Sequence, residues 1–266
     1  MSDVFSVPVT HVSSRDNPLV KELRKLSESS TAYRKQGRVW LEGDHLCRAA
    51  LDRGVQPVLA VFSESFWPLG QQAWGQAAIK NVVITDALLP EISGLESPAR
   101  MGFVVDLPAE ETVLPDAASV ILDRVQDAGN VGSILRSAAA FGFSQIIALK
   151  GTAALWSPKV LRAGMGAHFA LRLVEGVDAD ALAGLQVPIV VTSSHQGRFL
   201  HHLTGENALP MPCAWALGHE GQGVREELME KAHLKIRIGQ PGGEESLNVA
   251  AAAAICLYAS SLSRQG

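Results

Sequence analysis

Residues 120 to 149 open on Val120-Ile121-Leu122, turn through Asp123-Arg124-Val125-Gln126-Asp127-Ala128-Gly129, and continue as Asn130-Val131-Gly132-Ser133-Ile134-Leu135-Arg136 toward Ile146-Ile147-Ala148-Leu149. The two apolar runs read as buried strands and the stretch from Asn130 to Phe141 as the helix between them. Together they form a β-α-β unit and set the class as α/β. Gly129 and Gly132 let backbone approach a ligand or another chain, and the free N–H groups opening the helix suit an anion. Asn130 and Arg136 both border the C-terminal end of the first strand, where open α/β sheets place their ligands. A glycine turn that merely joins strand to helix would look the same.

Downstream, Ile189-Val190-Val191, Ala214-Trp215-Ala216-Leu217 and Lys235 to Ile238 read as further strands, and Ser246 to Ser263 as a long terminal helix. Leu217-Gly218-His219-Glu220-Gly221-Gln222-Gly223-Val224 follows a buried strand with three glycines and an acid. Glu220 there suits a base, a hydrogen-bond acceptor for a ligand amine, or a partner for the next helix N-terminus. A third stretch, Ile236-Arg237-Ile238-Gly239-Gln240-Pro241-Gly242-Gly243-Glu244-Glu245-Ser246-Leu247-Asn248-Val249, opens the terminal helix. Ser246 is an N-cap by residue type. Asn248, two residues into an apolar helix, needs a ligand or a carbonyl from another segment to satisfy its amide.

Upstream, Asn17-Pro18 caps an amphipathic helix carrying Leu19, Val20, Leu23 and Leu26. Val39 to Gly43 reads as a strand, and Asp44 as the cap of a helix that Gly54 ends after Arg53. A strand from Val58 to Phe62, a helix from Gln71 to Ala78, a strand at Val82 to Ile84, a helix after Thr85 and a strand from Phe103 to Leu107 continue the alternation. Residues 108–118 hold two prolines and three acids without apolar periodicity, which is linker composition. The expected division is therefore a domain over 1–107, a linker over 108–118 and a second domain over 119–266.

Apolar residues make up 47% and charged residues 19% of the 266, which excludes disorder and collagen-like repetition. Val249 to Ala259 is the longest apolar run and is shorter than the ~18 residues of a membrane span. The start Met1-Ser2-Asp3-Val4-Phe5 lacks the pattern of a secretory signal, so a cytoplasmic location is expected. Cys47, Cys213 and Cys256 are too few and too far apart for a zinc knuckle or a disulfide framework. Net charge is -4, yet His11 to Arg38 carries seven cations against three acids, leaving -8 for the remainder. That basic segment is either a phosphate-binding face or a solvated helix surface.

Taken in order and spacing, the three stretches resemble the signature of the SpoU/TrmH family of the SPOUT class, S-adenosylmethionine-dependent ribose 2′-O-methyltransferases of ribosomal or transfer RNA. Trp156-Ser157-Pro158-Lys159-Val160-Leu161-Arg162-Ala163-Gly164-Met165-Gly166-Ala167 is similar to the family's Ser-Pro-Lys segment, with Gly164 where serine is usual. The N-terminal half resembles the family's L30-like substrate-binding domain through Ser14-Arg15-Asp16-Asn17-Pro18 and Leu41-Glu42-Gly43. The resemblance implies a mostly parallel, trefoil-knotted methyltransferase domain and a homodimer. It puts Asn130, Arg136, Glu220, Ser246 and Asn248 at the reacting centre, and Leu217, Gly218, Gly221, Ile238 and Leu247 around the methyl donor. It turns Arg15, Lys21, Arg24, Lys25, Arg34, Lys35 and Arg38 into expected RNA contacts. It also implies that glycines 218, 221, 223, 239, 242 and 243 let backbone segments cross closely around the donor. The family's description makes the arginine at position 136 activate the ribose hydroxyl; a guanidinium is a poor base at neutral pH, so a phosphate clamp that steadies the alkoxide fits its chemistry better.

The alternatives are a transfer-RNA 2′-O-methyltransferase and a non-catalytic RNA-binding protein. Retention of Arg136, Glu220, Ser246 and Asn248 together speaks against the second. The adjacent His201 and His202 lack metal-ligand spacing, and with His195 and His219 they give no metal site. Gly218 to Gly223 lies too late and is wrongly spaced for a dinucleotide fingerprint.

Overall fold

The computed structural model describes residues 7–193, 196–243 and 246–262; His195, Glu244, Glu245 and Ser263 lie outside them. The chain forms two compact units, residues 1–109 with 156–169, and residues 110–155 with 170–266. The expected division at 107/108 is close to the first change of unit. A reading along the chain does not show that Trp156–Phe169 belongs with the first unit.

The first unit contains β1 (Val9–Val12), α1 (Pro18–Glu28), α2 (Ala32–Gln36), β2 (Arg38–Glu42), α3 (Asp44–Leu51), β3 (Leu59–Ser63), α4 (Trp67–Trp74), β4 (Lys80–Ile84), α5 (Leu89–Ile92) and β5 (Met101–Asp106). Its sheet runs β1-β4-β3-β5-β2. In α1 the Asn17 carboxamide oxygen accepts from Leu19 N–H at 2.9 Å, and Pro18 takes the first helical position. The buried face is Val20, Leu23 and Leu26, as their spacing predicts. Two expectations shift here, and two elements were not foreseen. Gly43, with φ +96°, occupies the cap position of α3, and Asp44 is already helical. The helix expected at 71–78 starts at Trp67, because Pro68 suits a first turn. β1 and α2 had no clear signal: a single buried residue in β1 and five residues in α2 carry little periodicity.

The second unit begins with β6 (Ser119–Asp123), α6 (Ala128–Ala140) and β7 (Gln145–Leu149). The chain then forms α7 (Pro158–Gly164), in the first unit, and returns for β8 (Arg172–Val177), β9 (Ile189–Thr192), β10 (Arg198–Phe199), α8 (Leu200–Gly205), β11 (Ala214–Gly218), α9 (Glu226–Lys231), β12 (Leu234–Arg237) and α10 (Val249–Leu262). Seven parallel strands lie in the order β10-β12-β9-β11-β6-β7-β8. From β6 the chain proceeds to β7 and β8 on one side, while β11 and β9 lie on the other. The switch in winding falls between β6 and β11, and ligands of open α/β sheets bind at such a switch. Paired there in register are Asp123, ending β6, and Gly218, ending β11.

β12 is inserted between β9 and β10, so the connection from β9 to β10 presses on its backbone. Ser193 N–H donates to Ile236 O at 2.9 Å, and a Cβ on Gly197 would sit 2.1 Å from Lys235 O. The terminal helix begins at Val249, three residues later than expected. α10 buries Ala253, Cys256, Leu257 and Ser260, and Ser260 Oγ accepts from Trp215 Nε1 at 2.9 Å. All three cysteines are buried thiols.

Candidate active site

The connections leaving β6, β11 and β12 meet through a chain of side-chain amides. Asn248 is not inside α10 but caps it: its Oδ1 accepts from Ala250 N–H at 2.9 Å and Ala251 N–H at 3.2 Å. This corrects the assignment of the cap to Ser246, which is exposed and makes no hydrogen bond among the described residues. With its oxygen engaged, Asn248 donates from Nδ2 to Asn130 Oδ1 at 3.0 Å. Asn130 in turn donates from Nδ2 to Glu220 Oε1 at 3.2 Å. Glu220 also accepts from the backbone N–H groups of Gln126 and Asp127, at 3.4 and 3.3 Å. Asp127 caps α6, its Oδ1 taking Asn130 N–H at 2.7 Å.

Partial burial raises the Glu220 carboxyl's affinity for a proton, but hydrogen bonds from its own backbone, Asn130, Asp127 and Gln126 outweigh this and hold it below its ordinary 4.5. The helix start that Glu220 meets is that of α6, not that of the helix following it, which was the partner expected from the sequence. A carboxylate so committed is a frame for the site rather than a base.

Arg136 is on α6, six residues beyond Asn130, which is ~9 Å along the axis and a different face. It is exposed and makes no hydrogen bond or ion pair among the described residues, so it is free to meet an anion. Leu217 is fully buried in β11, Gly218 is buried beside Asp123, Gly221 is exposed, Ile238 follows β12 and is half-buried, and Leu247 is 39% exposed just before Asn248. Near β12, Arg237 Nε and Gln240 Oε1 are buried without a partner among the described residues.

The glycine expectation holds for Gly218, whose Cβ would lie 2.1 Å from the Gly223 carbonyl carbon. Gly223 is the backbone met in that approach and itself has φ +68°; a Cβ at Gly242 or Gly243 meets nothing within 4 Å, and one at Gly221 or Gly239 makes ordinary contact. Gly197 is the close crossing that the expectation missed.

Four unselected residues complete the site. The Asp123 side chain is fully buried; its Oδ2 accepts from Arg225 N–H at 2.7 Å and its Oδ1 from Arg225 Nε at 2.7 Å. Arg124, at φ +60°, donates to Asp123 Oδ1 at 3.2 Å and Gln222 Oε1 at 2.9 Å. An acid ending the wholly apolar run Val120-Ile121-Leu122 was the available signal.

In the first unit, Arg15 and Arg24 both pair with Glu91, Arg38 with Glu22 and Asp106, and Lys21 with Asp16. Arg34 Nε donates to Tyr33 Oη. Lys25 and Lys35 are exposed, carry no ion pair among the described residues, and with Lys21 line a cleft of about 850 Å³ between α1 and α2. Gly164 of α7 stands where a Cβ would come 2.5 Å from the buried His168 ring, which accounts for the missing serine. Among the described residues no cluster of His, Cys, Asp or Glu could hold a metal, and no helix is long and apolar enough to cross a membrane.

Residues 117–258 match the model of the SpoU rRNA Methylase family. The chain belongs to that family. Residues 17–101 match the MRM3-like substrate binding domain. This SpoU-family chain is 30% identical over 256 residues to the 23S rRNA (guanosine(2553)-2′-O)-methyltransferase RlmP of Bacillus subtilis, covering 93% of this chain and 97% of that one. It is 34% identical over 164 residues to the mitochondrial rRNA methyltransferase 3 of Homo sapiens, covering 58% and 39%. Among solved structures, an AdoMet-bound rRNA methyltransferase from Sinorhizobium meliloti superposes with a TM-score of 0.80 at 26% identity, covering 95% of this chain and 97% of that one. An RNA 2′-O ribose methyltransferase superposes at 0.77 with 29% identity, covering 96% and 100%.

Proposed function

We propose that this SpoU-family protein methylates the 2′-hydroxyl of a ribose in structured ribosomal RNA, using S-adenosylmethionine. The observation that carries the reading is the Asn248–Asn130–Glu220 chain, which ties three strand-end connections together at the winding switch. The likeness to an AdoMet-bound rRNA methyltransferase supports the donor. The residues present suit it: Leu217, Gly218, Gly221, Ile238 and Leu247 would hold it, and the buried Gln240 Oε1, two residues beyond Ile238 and unpartnered among the described residues, offers an acceptor. S-adenosylmethionine supplies an electrophilic methyl group.

The chain's own residues supply orientation. Asn130 and Asn248, locked through their amides, fix the start of α6 against the start of α10. Arg136 clamps the neighbouring RNA phosphate and steadies the charge that develops on the ribose oxygen. Such positioning lowers a barrier by up to ~7–11 kcal/mol. The first unit binds RNA through the cleft that Lys25 and Lys35 line, because Arg15, Lys21, Arg24 and Arg38 are paired with acids. The working form is a cytoplasmic homodimer. Ala251, Ile255, Tyr258 and Leu262 form an exposed apolar stripe along α10, opposite its buried face, and a second copy is the partner that covers it.

The test is transfer from labelled S-adenosylmethionine to total RNA of cells lacking the gene, followed by nucleoside mass spectrometry. One new 2′-O-methyl nucleoside in ribosomal RNA is expected. The same product in transfer RNA would overturn the substrate, a methylated base the chemistry, and absence of donor binding the enzyme itself.

A further inference from the structure

In the loop from Gly218 to Arg225 the four residues 220 to 223 are exposed and only Gly218 is buried, so apolar burial contributes little to its shape. It closes on itself, His219 N–H donating to Gly223 O at 3.1 Å and Gly223 N–H to His219 O at 2.8 Å. The rest of its placement comes from polar ties to the β6–α6 connection. Glu220 secures its first half. Asp123 and Arg124 secure its second half, through Arg225, Gln222 and Gly223. Arg225 Nη2 reaches Asp123 Oδ1 at 2.6 Å, so one buried carboxylate receives the backbone N–H and both ends of the guanidinium fork. Burial alone would raise the Asp123 carboxyl; the bonds from Arg225 and Arg124 bring it below its ordinary 3.8, so it stays charged. Arg124 adopts a left-handed backbone that side chains rarely take, and in doing so its guanidinium meets Asp123 and the loop.

We propose that Asp123 is a positioning residue for methyl transfer, acting with Arg225 and Arg124 to hold the 218–225 loop in the shape that receives the methyl donor. This rests on the reading of that loop as the donor site. Its side chain is fully buried, so it acts through the backbone of Arg225 and, by way of Arg124, through the carbonyl of Gly223.

Loosening the tie therefore acts on donor affinity first. In the full-length protein, Arg225→Ala removes the guanidinium while leaving its backbone N–H on Asp123. The expected result, by calorimetry with S-adenosylmethionine and by steady-state kinetics, is a rise of about tenfold in both Kd and KM for the donor, with KM for RNA unchanged and a much smaller fall in kcat. Arg225→Lys, keeping one charged donor, restores part of the affinity. Asp123→Asn, with thermal unfolding followed alongside, gives a larger loss than Arg225→Ala. Normal donor affinity in a folded Arg225→Ala variant would overturn the proposal, as would a fall in kcat at unchanged donor KM, the pattern of a residue that merely sets the folded fraction. Wild-type protein that binds no donor would overturn the donor-site reading beneath it, which separates the two failures.

Discussion

Gly218→Ala is the substitution on which the site's geometry makes its sharpest demand. The new methyl group would lie 2.1 Å from the Gly223 carbonyl carbon, 2.2 Å from Val224 N and 2.3 Å from Gly223 O. All three are backbone atoms, so no side-chain rotation relieves the overlap. Carbon contacts settle at about 3.5–4.0 Å, so the loop must retreat by about 1.4 Å. A shift of that size breaks the 3.1 and 2.8 Å bonds between His219 and Gly223 and drags Gln222 from Arg124. Overpacking costs about 1–3 kcal/mol and each lost hydrogen bond about 0.5–1.5 kcal/mol. The chain gives back part of this by relaxing, which leaves roughly 2–3 kcal/mol and a fall in Tm of about 4–12 °C. A displacement above about 1 Å in a reacting geometry costs on the order of a hundredfold in rate. Differential scanning calorimetry and labelled methyl transfer measure the two effects. Gly242→Ala is the control: a Cβ there meets nothing within 4 Å, so its Tm stays at the wild-type value. A Gly218→Ala protein that matched wild type in Tm and transfer rate would show that the loop does not fold back on β11 as described.

Replacing Lys25 and Lys35 together with alanine should weaken RNA binding at every salt concentration and reduce the slope of log affinity against log salt by about 1.5, read by titrating ribosomal RNA fragments; an unchanged slope would move the RNA elsewhere. Gly164→Ser should cost about 1–3 kcal/mol, because the added atoms meet the His168 ring, and calorimetry should show the loss in Tm. The acid behaviour follows from the lowered carboxyls of Glu220 and Asp123: their stabilising bonds are complete above the ordinary values of 4.5 and 3.8 and disappear as pH falls through the still lower folded-state values. Donor affinity should therefore stay level as pH falls through the ordinary carboxylate range and fail only as it passes the lower folded-state values, and a midpoint near neutrality would contradict the assignment.

Local chemistry made much of the second unit legible. Apolar runs between turns announced β6, β7, β9 and β11, and helix-forming residues after a polar turn announced α6 and α10. What could not be read was pairing between distant parts of the chain. Nothing near β12 says that it slots between β9 and β10, and the glycine required by that crossing, Gly197, lies 38 residues before Lys235, outside all three motifs. The cluster Gly239, Gly242 and Gly243 attracted attention by density, yet close approach depends on the opposing backbone. The same holds for charge. Arg15 and Arg24 belong to a basic segment in sequence, while in space they converge on Glu91, 76 and 67 residues away.

Asn248 shows how a correct chemical question can outlive a wrong placement. An amide carries both an acceptor and donors, so an asparagine beside an apolar helix raised the question of its partners wherever the helix began. The oxygen found them in the first turn of α10 and the nitrogen in Asn130, which passes the demand on to Glu220. Each member of that chain helps to hold the next, and the one carboxylate among them accepts from Asn130 and from two backbone N–H groups. Arg136 lies outside the chain, exposed and without an ion pair among the described residues, and the proposed phosphate contact rests on that. On the proposed reading the site works by holding its groups in place and stabilising negative charge on the ribose oxygen, whose proton would pass to the neighbouring phosphate or to water.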